Sequence, residues 1–441
     1  TQLVEYPEPL LGEYEERYLQ LPPELLITVI KKHQRYFAVT DAKGSLLPYF
    51  VTVANTIPRD AKLVAAGNAR VVRARLEDAR FYYEEDQKLR LDERAEELKK
   101  VVFHSKLGTS WEKVGRFTSL ARWLGEQLAP ASLDALLRAA FLCKADLVTG
   151  MVGEFPELQG VMGRAYARLQ GEPEAVAEAI SEHYLPVRAG GPIPQKTEGA
   201  LLSIADKMDT IVGCFGVGLI PTGTADPFAL RRQTLGIIRI ILEKPFRISL
   251  SDLIDQALPL LQSYMTEPAQ TAKEGVLDFF QGRLQHWLVN QEGYTPDAVD
   301  ASLAVGMDDL VDAVARTKAL DAFKTRPDFE SLATAIKRVV NIIKEPETTP
   351  ISQELLSGSA EQELFGALQN TEGLVAGCIT HSDYDGALEA MSKLKGPIDA
   401  FFDSVLVMDK DEAIRRNRLA LLTRIHDLFA KVGDFRKIQT G

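Results

Sequence analysis

The rhythm of apolar and polar positions changes once along this chain, near residue 60. Before that point, residues 26–30, 36–40 and 49–55 are short runs rich in β-branched and aromatic side chains and predict three strands. The polar stretch 31–35 separates the first two, and Asp41-Ala42-Lys43-Gly44 predicts the turn into the third. From Asp60 onward apolar residues recur at three- and four-residue spacing, which predicts helix, continuing through the charge run 88–100. Further helices are expected at 111–128, 132–152, 172–184 and 197–213, separated by Pro130, Pro156 and the Gly190-Gly191-Pro192-Ile193-Pro194 loop. Residues 228–242 place Leu230, Thr234, Ile237, Ile238 and Ile241 on one face. Residues 245–330 repeat the pattern at Leu250, Leu253, Ile254, Ala257, Leu258 and Leu261, then at Leu277, Phe280, Leu284, Trp287 and Leu288. A final helical region runs through Leu332, Ile336, Val339, Val340 and Ile343, is interrupted at 345–350, and ends on Ile414, Leu421, Leu422, Ile425, Leu428, Phe429 and Val432. The chain reads as mainly α, with no internal repeat.

The densest stretch is 205–232, where a helix carrying Asp206 and Asp209 meets a glycine-rich turn and then a basic helix. Asp226 is placed to cap that helix, with Pro227 at its first position. The turn is not a nucleotide cradle, because Gly223 is followed by Thr224-Ala225 rather than by Lys and a hydroxyl residue.

At 441 residues the chain exceeds one ordinary core. Its net charge of −11 argues against indiscriminate nucleic-acid binding, but the charge is uneven. Windows 59–80, 228–244 and 409–441 each carry +3, which leaves −20 for the rest. Local basic strips on an acidic body suit one shaped polyanion; solvated helix faces pairing their own charges read the same way. No apolar run approaches the ~18 residues that span a bilayer, so no membrane association is expected. The first seven residues carry no export signal, and Cys143, Cys214 and Cys378 form no CxxC pair; both point to a reducing, cytoplasmic setting. There is no initiator Met, and a fragment of a longer chain is one expectation.

Four motifs, in order, carry a resemblance: Glu154-Phe155-Pro156-Glu157-Leu158-Gln159-Gly160-Val161-Met162-Gly163, Ala205-Asp206-Lys207-Met208-Asp209-Thr210, Asp226-Pro227-Phe228-Ala229-Leu230-Arg231-Arg232, and Pro397-Ile398-Asp399-Ala400-Phe401-Phe402-Asp403. Lys337-Arg338-Val339-Val340-Asn341-Ile342 and Arg416-Asn417-Arg418-Leu419 fit as well. From about residue 20 to its end the chain resembles the β subunit of the bacterial two-subunit glycyl-tRNA synthetases. The resemblance implies that an α subunit holds the class II active site with ATP and Mg²⁺. This chain would have no catalytic residues and no cofactor of its own, would bind tRNA(Gly), and would complete an α2β2 heterotetramer. It implies a C-terminal portion or a naturally short form. The implied order is part of a small α/β module at 1–100, a degenerate HD-type helical domain at 101–244, a helical connector at 245–330, and at 331–441 a helical anticodon-binding domain like that of arginyl-tRNA synthetase. The chain itself shows no class II signature, and Met391-Ser392-Lys393-Leu394-Lys395 lacks the histidine motif that would make it a class I loop.

HD-type hydrolases hold a divalent metal with a His, a His-Asp dipeptide and a later Asp. Here His104, Asp146 and Asp206 match three of those positions, while Ala145 stands where the dipeptide histidine belongs, so no bound metal is expected. A working phosphohydrolase acting on nucleotides or RNA ends is the competing function. Alternatively Asp146 and Asp206 hold helices together, by capping or by pairing with Lys144 and Lys207, with His183 a hydrogen-bonding residue, or the fold is kept as a groove for the tRNA acceptor arm. For RNA contact the candidates are Arg70, Arg73, Arg75, Arg231 and Arg232 on the basic strips, with Arg338, Asn341, Arg415 and Arg418 toward the anticodon. Phe401 or Phe402 is a candidate stacking partner, with a core position the bland alternative. A helical scaffold with no RNA role is the third reading.

Overall fold

The computed structural model describes residues 4–343 and 345–439. They form two compact units, 1–220 with 257–267 and 221–256 with 268–441.

The first unit opens on a three-stranded antiparallel sheet, β1 (Glu8–Glu13), β2 (Phe37–Thr40) and β3 (Leu46–Ala54), in the order β1-β3-β2. Two of the three expected strands are here. The third is not: residues 26–30 lie in α1 (Pro23–Ile27) and the π-helical turn Thr28–His33 that continues it. Pro23 at the first helical position starts the turn, and Leu25, Leu26, Val29 and Ile30 are buried at helical spacing, so tertiary packing overrides the β preference of the run. The strand that sequence missed, β1, has no β-branched residue and owes its conformation to pairing with β3. Gly12 is obligatory there, because a Cβ would lie 2.2 Å from Cζ of the buried Phe50.

Helix α2 (Ala61–Asp86) starts where Asp60 accepts from the Leu63 N–H at 3.0 Å. It ends before the expected charge-run helix, which breaks into α3 (Leu91–Glu97) and a 3₁₀ turn. The reason is Asp86, whose buried carboxylate pairs with Arg94 and accepts from the Gly150 and Met151 N–H groups and the Tyr166 hydroxyl. A short hairpin, β4 (Val102–His104) and β5 (Gly108–Thr109), leads into α4 (Ser110–Leu128), capped reciprocally by Thr109 and Glu112. The predicted helix 132–152 is interrupted: α5 (Leu133–Leu142) gives way to a 3₁₀ turn, Ala145–Val148, before α6 (Gly150–Glu154). Then come α7 (Val161–Leu169), α8 (Glu174–Glu182) and α9 (Thr197–Gly216). Every residue of α9 from Gly199 to Gly216 is buried, which makes it the axis of this unit.

In the second unit α10 (Leu230–Glu243) begins three residues later than Asp226-Pro227 predicts. Asp226 still serves its amino end, accepting from the N–H groups of Leu230 and Arg231 at 2.7 and 3.0 Å, while Ala229 takes the capping position with φ of 53°. Helix α11 (Leu250–Leu261), whose residues from Ala257 on belong to the first unit, is followed by α12 (Ala269–Asn290), α13 (Pro296–Ala304) and α14 (Leu310–Phe323). Five more complete the chain: α15 (Phe329–Ile342), α16 (Ser359–Thr380), α17 (Tyr384–Ser392), α18 (Lys395–Ser404) and α19 (Glu412–Ala430). These five share a single hydrophobic core with Ala298, Ala301, Leu320 and Phe323 of α13 and α14. The carboxyl-terminal residues close that core, with the Asp434 N–H donating to the Ala301 carbonyl at 2.9 Å and the Gln439 N–H to Asp297 at 2.8 Å.

Candidate nucleic-acid interface and the hydrolase-like centre

Asp206 lies on α9, one turn before Asp209, and faces α4 and the turn after α5. Its Oδ1 is 2.8 Å from Lys113 Nζ and its Oδ2 is 2.8 Å from Lys144 Nζ. Burial by itself would raise this carboxyl, but the two ammonium groups hold it well below the usual carboxylate range. Lys113 also reaches Asp209 at 3.0 Å and the Thr210 hydroxyl at 2.7 Å, and Arg116 forks onto both oxygens of Asp209 at 2.6 and 3.2 Å. Lys113 and Arg116 on α4 thus match Asp206 and Asp209 on α9, each pair three residues apart on facing helices.

Of the two ways expected for these aspartates to hold helices together, pairing is found at Asp206 and capping at Asp146, which receives the N–H groups at the amino end of α7. Lys144 does bind Asp206, whereas Lys207 donates to the carbonyls of His183 and Leu185 at 3.0 and 2.9 Å. Asp146 binds no lysine: its Oδ2 accepts from the N–H groups of Gly160 and Gly163, and its Oδ1 is buried without a hydrogen-bond partner. Burial pushes its carboxyl up to about 6. His183 is a buried hydrogen-bonding residue, with Nδ1 2.7 Å from the Ile180 carbonyl and Nε2 2.8 Å from Lys144 Nζ; burial holds its pKa well below the ordinary value. His104 sits on the β4–β5 hairpin, where its Nδ1 accepts from the Lys106 N–H at 3.1 Å. Among the described residues no group of three or more His, Cys, Asp and Glu side chains could hold a metal ion. The donor set does not fit the metal that an HD-type hydrolase needs, because ammonium groups occupy the space beside Asp206.

The candidate RNA contacts separate by depth. On α2, Arg70, Arg73 and Arg75 are all exposed; Arg73 pairs with Glu15 at 2.7 Å and Arg75 approaches Glu154 at 3.8 Å. Arg70 and Arg73 line a cleft of about 480 Å³ between α2 and the sheet. Lys62, Tyr49 and the acidic Glu13, which no sequence motif marks, also line it. Lys62 is the one legible in retrospect, eight residues before Arg70 on the same helical stripe. Arg231 is half-buried and Arg232 exposed in the first turn of α10.

In the C-terminal helices Arg338 is exposed, with its guanidinium 4.6 Å from the centroid of the Phe402 ring and 3.9 Å from Asp399. Phe401 is fully buried in the core, so of the two phenylalanines only Phe402 reaches the surface pair. Asn341 is exposed and lines a cleft of about 360 Å³ with Thr423, His426 and Arg436. Arg415 is half-buried, 3.9 Å from Glu412. Arg418 departs from the expectation of an RNA contact. It is buried, its Nε donates to Glu361, and its Nη1 donates to Asp409 at 2.8 Å and to the Leu406 carbonyl at 2.9 Å. Those bonds tie α19 to α16 and to the loop after α18, so Arg418 builds the domain from within. Of the cysteines, Cys143 and Cys214 are buried and Cys378 is half-buried, all three as free thiols. No helix among the described residues is long and apolar enough to cross a membrane.

A family model described as glycyl-tRNA synthetase beta subunit matches residues 1–304, and one described as DALR anticodon binding domain matches residues 332–440. A glycine–tRNA ligase beta subunit from Trichlorobacter lovleyi is 52% identical over 440 residues, covering 99% of this chain and 64% of its own length. Its namesake from Syntrophus aciditrophicus is 49% identical over 440 residues, covering 100% and 64%. That from Geobacter metallireducens is 52% identical over 436 residues, covering 99% and 63%. The chain therefore spans somewhat less than two thirds of the length of these curated relatives. With one model covering most of the chain and identity near one half along all of it, the chain belongs to the glycyl-tRNA synthetase beta subunit family.

Proposed function

We propose that this chain is a tRNA-binding part of glycine–tRNA ligase, holding tRNA(Gly) by its acceptor arm and anticodon while an α subunit joins glycine to it. In this reading ATP and Mg²⁺ act on the α subunit, the assembly is an α2β2 heterotetramer, and its setting is the cytoplasm. The observation that carries the reading is the DALR anticodon-binding match over 332–440, on helices whose surface offers Arg338 against Phe402 and the cleft beside Asn341. A guanidinium lying on an aromatic ring presents a flat face on which an unstacked base can lie, and its N–H fork pairs with phosphate oxygens. The two constant cytosines of a glycine anticodon offer Watson–Crick edges to such groups. The exposed cations of α2 and of the first turn of α10 are the proposed contacts to the rest of the tRNA, supplying affinity through phosphates rather than through sequence.

A phosphohydrolase finds no support, since lysines stand beside Asp206 where a metal is needed. The test is to reconstitute the chain with the α subunit, measure glycine transfer, and compare filter binding of tRNA(Gly) with an anticodon-substituted control. Transfer dependent on both proteins and weaker binding of the control are expected. Equal binding of the two RNAs would overturn the anticodon assignment, and transfer by the α subunit alone at full rate would overturn the role.

A further inference from the structure

Lys144 carries its charge into the interior of the first unit. Its Nζ lies 2.8 Å from His183 Nε2 and 2.8 Å from Asp206 Oδ2, and 4.0 Å from the centroid of the Tyr184 ring. The imidazole nitrogen and the carboxylate oxygen are 4.0 Å from each other. The tautomer of His183 follows from its other contact: the Ile180 carbonyl, 2.7 Å from Nδ1, only accepts, so the proton is on Nδ1 and Nε2 presents a lone pair. A bare imidazole nitrogen, fixed from behind by a backbone carbonyl and converging with a carboxylate on one buried point, supplies two of the three or four protein ligands that a zinc-class cation takes. The cation found at that point is an ammonium group.

We infer that the Lys144 ammonium stands in the place of a divalent cation, and that removing it uncovers a metal site built from His183 Nε2 and Asp206. Bonds of about 2.0–2.2 Å at a tetrahedral angle set nitrogen and oxygen about 3.4 Å apart, so the pair has only about 0.6 Å to close. Water fills the remaining positions, and a cation of the zinc or manganese class fits the mixed nitrogen and oxygen set. Lys113, 2.8 Å from the other oxygen of Asp206, keeps part of the charge compensation and makes the uncovered site weaker than one with four protein ligands. In the unaltered chain the lysine makes the junction of α5, α8 and α9 independent of metal supply. An ammonium group neutralises carboxylates as a metal does, but it has no open coordination position at which to lower the pKa of water, so this centre joins helices without hydrolysing anything.

The test follows thermal unfolding of the whole chain in EDTA and in about 0.1 mM Zn²⁺. The wild type should melt at the same temperature in both. Lys144→Ala should melt lower than wild type in EDTA and regain at least ~4 °C in Zn²⁺, because a ligand that binds only the folded state raises its melting point. His183→Ala added to that variant should abolish the gain, and Lys144→Met, which fills the space without charge, should show none. If Lys144→Ala folds only with metal, its refolding yield in Zn²⁺ against EDTA reads the same effect. A wild type that loses several degrees in EDTA, or a Lys144→Ala variant indifferent to Zn²⁺ in both melting and refolding, would overturn the inference.

Discussion

The basic windows at 59–80 and 409–441 carry the same net charge of +3, yet the structure spends that charge differently. On α2 the candidate arginines stand out from the unit, and where they pair they do so at its surface, Arg73 with Glu15 and Arg75 with Glu154. On α19 one of the two candidate arginines, Arg418, is enclosed by Glu361, Asp409 and the Leu406 carbonyl, while Arg416 and Arg424 pair with Glu347 and Glu372. Equal formal charge therefore says nothing of available charge. A buried guanidinium has exchanged water for fixed acceptors, and only an exposed one is free to exchange water for phosphate.

The contrast is broken most forcefully at Arg418. Arg418→Ala should cost about 3–5 kcal/mol in chemical denaturation, because it leaves the buried Glu361 carboxylate without its cation. The salt dependence of tRNA binding by the folded fraction should not change; a lowered slope with wild-type stability would return Arg418 to the RNA surface.

Asp146 probes a buried charge of the opposite kind. Its folded pKa of about 6 lies above the ordinary 3.8, so its contribution to stability is full below the ordinary value and is lost as pH rises through 6. The stability of wild type relative to Asp146→Asn should therefore fall by about 2 kcal/mol between pH 4 and 7. A difference that stays flat over that window would mean that the carboxyl titrates normally.

The exposed side of the comparison predicts smaller effects, on binding rather than on folding. Arg338→Ala or Phe402→Ala should weaken tRNA(Gly) binding by about 1–3 kcal/mol if a base stacks on the pair, and Arg338→Ala should change stability by no more than about 0.5 kcal/mol. Wild-type affinity in both would remove the pair from the interface. The joint change Lys62→Ala with Arg70→Ala should reduce the slope of log affinity against log salt by about 2, one for each phosphate left without its cation. An unchanged slope would leave the α2 cleft outside the RNA path.

Much of the helical architecture was legible because long amphipathic segments declare themselves, as α4 and α19 do. Short elements were not: residues 26–30 carry strand-like side chains in a helical turn, and β1 carries none of them in a strand, since five or six residues are too few to oppose tertiary packing. At the hydrolase-like centre the sequence supplied Asp206, Lys144 and His183, but Lys113 is 93 residues from its aspartate and no local pattern joins them. The usable signal was geometric: two cations on the otherwise apolar face of 110–128 at the same spacing as Asp206 and Asp209. Arg418 failed for the converse reason, because a helix rich in arginine does not reveal which of them turns inward.

The shared core of α13 to α19 has a practical consequence for anyone cutting this molecule apart. A piece begun at residue 331 would lack Ala298, Ala301, Leu320 and Phe323, and with them the carbonyl and carboxylate that receive Asp434 and Gln439. Its flank would be greasy and its tail untethered, an invitation to self-association. A well-behaved excision of the anticodon module should start ahead of Pro296, even though the sequence signature of that module begins some thirty-six residues later at 332.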